Sequence, residues 1–259
     1  HNSNISKGAM FDTITMRNEP IGAEYAEMRR RWEPIVEITQ YKGDSETHPL
    51  LSPNDLFADF EDYPYYIQRD WTEYKPQVGD FIRSALIRGM QIEREIGLNP
   101  YQFGVIGSTD SHTGLSAAEE NNFHGKFATD SRPSLKRVGW SDNANSSFGW
   151  AMGAQGLAAV WAEENTRESI MQAMKRRETY ATTGPRIGLR FYGGYGLDAT
   201  ALEASTFPYE SSGAVPMGGE LDQKADSVPV FLVHAMADPK SGTLDLSLIH
   251  ISEPTRLSG

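Results

Sequence analysis

The apolar and polar positions of the first forty residues predict a helix followed by a strand. Residues 24–32 have helical character, and Pro34 ends this helix because proline lacks a backbone donor and restricts the residue before it. The β-branched run at 35–39 is typical of a buried strand. Alternation along that strand places Glu37 on the face opposite its two apolar neighbours.

A long amphipathic helix is predicted next, with Asp80 as its cap and Gly97 as its stop. Its apolar stripe is predicted from helical spacing and consists of Phe81, Ala85, Leu86, Met90 and Ile92. A short buried strand at 103–106 follows, stops at Gly107 and releases a polar loop.

The second half of the chain is less regular at first. Residues 114–149 are rich in loop-forming residues, and so long an irregular span predicts a functional lid or an insertion. A strand is predicted at 156–161, and a capping box formed by Asn165 and Glu168 opens a helix predicted over 166–177.

The pattern changes near residue 186 to alternating strands, predicted at 187–192 and 228–233, which favours an all-β appendage over 186–245. Residues 246–259 include a run that resembles the translation of a sequencing adapter, and we give this tail no functional weight. The start at His1, without methionine, leads us to expect a piece cut from a longer chain.

Composition narrows the possible functions. The 259 residues carry a net charge of −11, from 24 basic and 35 acidic side chains, without a basic stripe. We therefore expect neither nucleic acid nor a membrane as a partner. Cysteine is absent, which excludes a thiol nucleophile and a cysteine-ligated zinc site, and the lack of a Gly-x-Ser-x-Gly motif argues against a serine hydrolase.

The candidate chemistry lies in the loop after the 103–106 strand, which carries Asp110 and His112. In α/β proteins, catalytic and ligand-binding residues usually lie just past the carboxyl ends of strands. A carboxylate and an imidazole two residues apart can bind one metal ion through oxygen and nitrogen. The alternative is that Asp110 caps the loop and His112 is a surface histidine.

Several motifs together resemble the polymerase-and-histidinol-phosphatase (PHP) superfamily of metal-dependent hydrolases, and within it an uncharacterised domain-of-unknown-function family. Gly107-Ser-Thr-Asp-Ser-His-Thr113 is similar to the late metal motif of that superfamily, with one residue inserted. Glu37-Ile-Thr through His48 is similar to its Glu-Ile-Asn strand followed by a ligand histidine, and His1-Asn resembles the end of an earlier strand. The stretch from Glu168 to Pro185 is the most specific part of the likeness, which extends to about residue 240.

The resemblance implies an α/β fold in which residues 1–185 are the C-terminal part of a distorted seven-fold β/α barrel. It also implies two or three divalent metal ions, zinc or manganese, at the carboxyl ends of the strands. The superfamily's His-x-His motif and a bridging glutamate are missing here. We therefore expect the first barrel strands to lie upstream of His1, and we expect no turnover and poor solubility from the chain as written.

The resemblance assigns roles to individual residues. Asp110 and His112 are the catalytic pair, Lys42 and Arg186 are candidate substrate contacts, and Glu37 and Glu46 are expected to support the metal ligands by hydrogen bonding. The implied metal ligands are His1, His48, Asp110 and His112.

The predicted function is hydrolysis of small phosphoesters by water that the metal activates. An aryl ester or carbamate hydrolase of the same superfamily is the enzymatic alternative. A non-catalytic binding protein is the other alternative, in which the aromatic-rich region 56–75 and the β appendage bind a glycan or a partner. Compartment and oligomeric state stay open.

Overall fold

The structure is a computed structural model that describes residues 2–66, 72–127, 152–153, 156–197, 213–222, 224 and 226–244. His1, the later part of the predicted 114–149 loop and the 246–259 tail lie outside the described residues. Within these ranges, none of the helices is both long and apolar enough to cross a membrane.

The main core is built by two helices that pack beside a sheet. Helix α1 spans Ala23–Trp32 and helix α2 spans Ile82–Ile96. The prediction that Gly97 stops α2 is confirmed, because Gly97 adopts a left-handed conformation and its N–H bonds to the Glu93 carbonyl. The buried core residues are Phe11, Ile21, Ala26, Val36, Ile82, Ala85, Ile92 and Tyr101.

Two details of the α2 prediction are wrong. The N-cap is Phe81, because Asp80 lies in a 3-10 turn at Val78–Asp80 and uses its carboxylate elsewhere. This buried carboxylate accepts hydrogen bonds from Tyr74 Oη and from the backbone N–H of Gln77. Leu86 is 42% exposed, since the buried face of α2 runs through Ile82, Ala85, Gly89 and Ile92.

The first sheet carries the predicted strand pair. Strand β1 is Ile35–Gln40, β2 is Gly43–Asp44 and β3 is Gly104–Gly107, in the spatial order β2-β1-β3. β1 and β2 are antiparallel, whereas β1 and β3 are parallel, with Val36 opposite Val105. The parallel pairing brings the carboxyl ends of β1 and β3 to the same edge of the sheet.

A second, two-stranded sheet packs against β3. Strands β4 (Leu157–Val160) and β5 (Thr179–Thr182) are antiparallel, and helix α3 (Arg167–Lys175) connects them. The predicted cap of α3 is off by one residue, because the side chain of Thr166, not Asn165, accepts the Ser169 N–H. A Cβ added at Gly107 would lie 2.7 Å from the Leu157 carbonyl oxygen, so only glycine allows this close approach.

The third sheet lies in the region where alternating strands are predicted. It consists of β6 (Gly188–Gly194), β7 (Val215–Pro216) and β8 (Val230–Met236), ordered β7-β6-β8 with antiparallel pairing. Tyr192, Ala214 and Leu232 form a small core beneath it.

Candidate active site

The loops that follow β1 and β3 lie side by side. The Ser108 N–H donates to the Thr39 carbonyl at 3.0 Å, and the Tyr41 N–H donates to the Thr109 carbonyl at 3.3 Å. These bonds continue the parallel pairing past the ends of both strands. The residues immediately downstream, Lys42 on one loop and Asp110 on the other, therefore come together.

Asp110 adopts an unusual backbone conformation. Its φ is +54°, in the left-handed region that most L-residues avoid and that aspartate tolerates better than most. Residues held in this region concentrate at functional sites.

Two lysine ammonium groups converge on the Asp110 carboxylate. Lys42 Nζ and Lys126 Nζ both contact Oδ2, the latter at 2.5 Å. Lys126 Nζ also donates to the Asp110 backbone carbonyl at 2.6 Å. The Lys42 and Lys126 side chains are 8% and 4% exposed, so one carboxylate compensates two buried cations.

The imidazole of His112 lies on the other carboxylate oxygen. His112 Nε2 is 3.2 Å from Asp110 Oδ1 and 3.5 Å from Lys126 Nζ. The backbone N–H of His112 donates to the backbone carbonyl of Lys126 at 2.8 Å, and this bond holds the 110–112 loop against residue 126. The His112 side chain is 53% exposed, so a ligand can reach the imidazole from solvent.

The local charges decide the protonation states. Burial alone would raise the pKa of Asp110, but hydrogen bonds from Lys126 and Lys42 outweigh it and hold the pKa well below its usual range. Burial lowers the pKa of Lys126 to about 8, against the opposing hydrogen bond to Asp110. Asp110 is therefore ionised at neutral pH, with Oδ2 bonded to the two ammonium groups and Oδ1 beside the His112 imidazole.

The pair formed by Asp110 Oδ1 and His112 Nε2 fits two corners of a divalent cation site. Zinc–oxygen and zinc–nitrogen bonds are about 2.0–2.2 Å long, so donors 3.2 Å apart can share one ion. Among the residues that the structure describes, no group of three or more His, Asp or Glu side chains is arranged to hold a metal. A third protein ligand is thus not provided within those ranges, and the predicted ligand His1 falls outside them.

The structure brings together three of the predicted site residues, Lys42, Asp110 and His112. Glu37 is linked to this group through Gln40, which donates to Glu37 Oε2 at 3.4 Å and accepts the Lys42 N–H at 3.3 Å. Glu37 thereby supports the loop that carries Lys42.

The other predicted residues have different neighbours. His48 Nε2 lies 3.6 Å from Asp62 Oδ2, and Glu46 forms a two-bond ion pair with Arg83. Arg186 is exposed at an open 710 Å³ cavity, and its backbone N–H donates to Asp238 at 2.7 Å.

Two carboxyl groups near His48, those of Asp44 and Asp62, have raised pKa values. Burial raises the pKa of Asp44 to about 8 against a hydrogen bond from the Glu46 backbone N–H, and the charges of Glu46 and Asp62 add smaller increases. Burial, with the charge of Asp59, raises the pKa of Asp62 to about 6. Burial also lowers the pKa of His48, so this imidazole is neutral near pH 7.

Sequence reasoning missed Lys126. It lies in the loop-rich span after Gly125, where neither periodicity nor a motif distinguishes it from a solvated lysine. The interaction with Asp110 arises because the chain folds back and places the Lys126 carbonyl on the His112 N–H.

The described residues form a protein of mixed helices and small sheets, with Asp110 and His112 together at the end of β3. Comparison with protein-family models identifies the family. The chain belongs to the family described as "Protein of unknown function (DUF3604)", whose model matches residues 1–249. Neither the curated proteins nor the solved structures contain a match to it.

Proposed function

We propose that this protein is a metal-dependent hydrolase of the PHP type and that its metal site includes Asp110 and His112. The observation that carries this proposal is the 3.2 Å separation of Asp110 Oδ1 and His112 Nε2 at the carboxyl end of β3. The parallel pairing of β1 and β3 supports the barrel fold that the resemblance implies. His1 and His48 stay in the proposal as further ligands.

The side chains of this loop have separate tasks. Asp110 and His112 hold the cation through oxygen and nitrogen, and the low pKa of Asp110 keeps its oxygens free of protons. A divalent ion held by these two residues would supply a bound water of lowered pKa and would polarise the bond to be cleaved. Lys126 orients Asp110 by contacting both its carboxylate and its carbonyl.

The charge of the site favours phosphoesters over neutral esters. Lys42 and Lys126 contribute two positive charges against the single negative charge of Asp110. The phosphoryl group of a phosphoester carries negative charge in the ground state, whereas a carboxyl ester or a carbamate does not. Pre-oriented ammonium groups stabilise charge on transferring phosphoryl groups.

The proposal is tested by turnover with a panel of nitrophenyl substrates in the presence of zinc or manganese. The panel contains a phosphomonoester, a phosphodiester, a carboxyl ester and a carbamate. It is applied to the chain itself and to a longer reading frame that includes the His-x-His segment that the resemblance implies.

We expect metal-dependent phosphoester hydrolysis by the longer form, lowered by about 100-fold or more in Asp110→Asn and His112→Ala variants. His124→Ala is the matched control, because His124 is an exposed histidine of the same region. Turnover with the carboxyl ester or carbamate alone would favour the alternative hydrolase, and hydrolysis that does not need metal would overturn the proposal.

A further inference from the structure

A second cavity, of 240 Å³, lies between β2, residues 62–64 and the start of α2. Its walls include the buried rings of Tyr63, Tyr74 and Phe81, which are 4%, 7% and 2% exposed. These residues give the cavity an aromatic lining that is fixed by the core. His48 stands at its side, with its ring centroid 5.9 Å from that of Phe81.

Apart from His48 and the tyrosines, the ionisable side chains that line this cavity are carboxylic acids. Three carboxylates line it, those of Asp44, Asp62 and Glu73, and the described lining residues include neither lysine nor arginine. The nearby guanidinium of Arg83 is already paired with Glu46 and Asp55. Because burial raises the pKa of Asp44 to about 8, the negative charge of the cavity at neutral pH comes from Asp62 and Glu73. The described part of the chain does not neutralise this charge inside the cavity.

A buried amide gives independent evidence for a missing hydrogen-bond donor. Asn4, which is 3% exposed, lines the same cavity. Its Nδ2 donates to the Lys42 carbonyl at 2.8 Å, which fixes the orientation of the amide. Its Oδ1 is buried and accepts no hydrogen bond from the described residues. An unsatisfied buried acceptor costs about 1–3 kcal/mol, so a ligand that donates to it is favoured.

We propose that this cavity binds the primary ammonium group of a small organic amine. An ammonium group has three N–H donors, which match one amide oxygen and two carboxylates. The aromatic walls attract a cation through their ring faces and pack against the alkyl part of the ligand. The cavity lining shares His48 with the proposed metal ligands, but the groups proposed to bind the ammonium are Asn4, Asp62 and Glu73, none of which has a role in the hydrolase proposal.

The size of the cavity and the arrangement of its side chains argue against a bare metal ion. The described side chains do not form a group of three or more His, Asp or Glu ligands arranged for a metal. A volume of 240 Å³ also exceeds the space that one ion occupies, since a water molecule takes up about 30 Å³ in the liquid. An organic cation fills that volume and reaches polar groups that stand further apart.

The test is calorimetric titration of the protein with n-butylammonium, at constant ionic strength and with a chelator present. Tetramethylammonium, which has the same charge but no N–H donor, is the matched ligand. Asp62→Asn and Glu73→Gln remove one charge each from the cavity, so that the result does not depend on the folding of a single variant. Glu95→Gln removes an exposed charge on α2 outside the lining.

We expect n-butylammonium to bind at least about tenfold more tightly than tetramethylammonium, because one charge-assisted hydrogen bond corresponds to about that factor. Asp62→Asn or Glu73→Gln should weaken its binding by a similar factor, and Glu95→Gln should leave it unchanged. Equal binding of the two cations would overturn the proposal, as would failure of n-butylammonium to bind or equal loss of affinity in all three variants.

Discussion

Replacing Asp110 by asparagine tests how the charged cluster at the end of β3 is held together. The substitution keeps the size of the side chain and removes its charge. Lys42 and Lys126, whose ammonium groups both contact Asp110 Oδ2, then lose their shared counter-ion while remaining 8% and 4% exposed. The result is either two buried cations that repel each other or a Lys126 that releases its proton, because the interactions with Asp110 that raise the pKa of Lys126 are gone.

The size of the effect follows from the burial of these groups. Breaking a buried ion pair by removing one partner costs about 3–5 kcal/mol. The Asp110 side chain is 28% exposed, so water partly replaces it, and we expect a loss of about 2–3 kcal/mol.

The measurement is urea-induced unfolding at pH 7 with a chelator present, followed by tryptophan fluorescence. The double variant with Lys126→Met should lose less stability than the two single variants added together, by about 1–2 kcal/mol, because the repulsion is gone. Glu95→Gln, an exposed carboxylate on α2, should change the free energy of unfolding by less than about 0.5 kcal/mol. An Asp110→Asn loss below about 1 kcal/mol, or strict additivity, would refute the reasoning.

Two further predictions concern Asp44 and Gly107. Because burial raises the folded-state pKa of Asp44 from 3.8 to about 8, the folded state favours the protonated carboxyl. The stability of the wild type relative to Asp44→Asn should therefore be highest below the unfolded pKa and should fall as the pH rises through the folded pKa. The total fall, measured by thermal or urea unfolding, should be of the order of 6 kcal/mol. A pH-independent difference would contradict this prediction. Gly107→Ala places a Cβ 2.7 Å from the Leu157 carbonyl oxygen and should lower the free energy of unfolding by about 1–3 kcal/mol. Gly242→Ala, which meets nothing within 4 Å, is the control, and equal effects of the two substitutions would contradict the close approach.

Much of the local structure was predictable from the sequence, because local interactions determine it. Helix α1 and strand β1 lie where the pattern puts them, and the left-handed stop at Gly97 follows from the conformational freedom of glycine. The cap of α2 was not predictable in this way. Asp80 is a good cap by residue type, but its carboxylate accepts hydrogen bonds from Tyr74 and, across a long stretch of sequence, from the Ser6 hydroxyl and the Gly8 N–H.

In the candidate site, too, the contacts between residues close in sequence were predictable and those that depend on the tertiary fold were not. Asp110 and His112 are close in sequence and share one loop, so their contact followed from the motif. The contact of Lys42 with Asp110 depends on the parallel pairing of β1 and β3, which only a fold hypothesis can supply. Lys126 reaches the site through a tertiary fold-back, and the environment of His48 beside Asp62 likewise comes from contacts that no local pattern encodes.

The metal content of the longer form, which includes the His-x-His segment that the resemblance implies, tests the central proposal most directly. After dialysis against zinc or manganese and removal of free metal, elemental analysis should give about one equivalent or more for the wild type and for His124→Ala, because a stable protein site holds its ion. His112→Ala should retain less than about half of that amount, because the imidazole is one of the two described donors. A His112→Ala variant that retains as much metal as the wild type would contradict the proposed site.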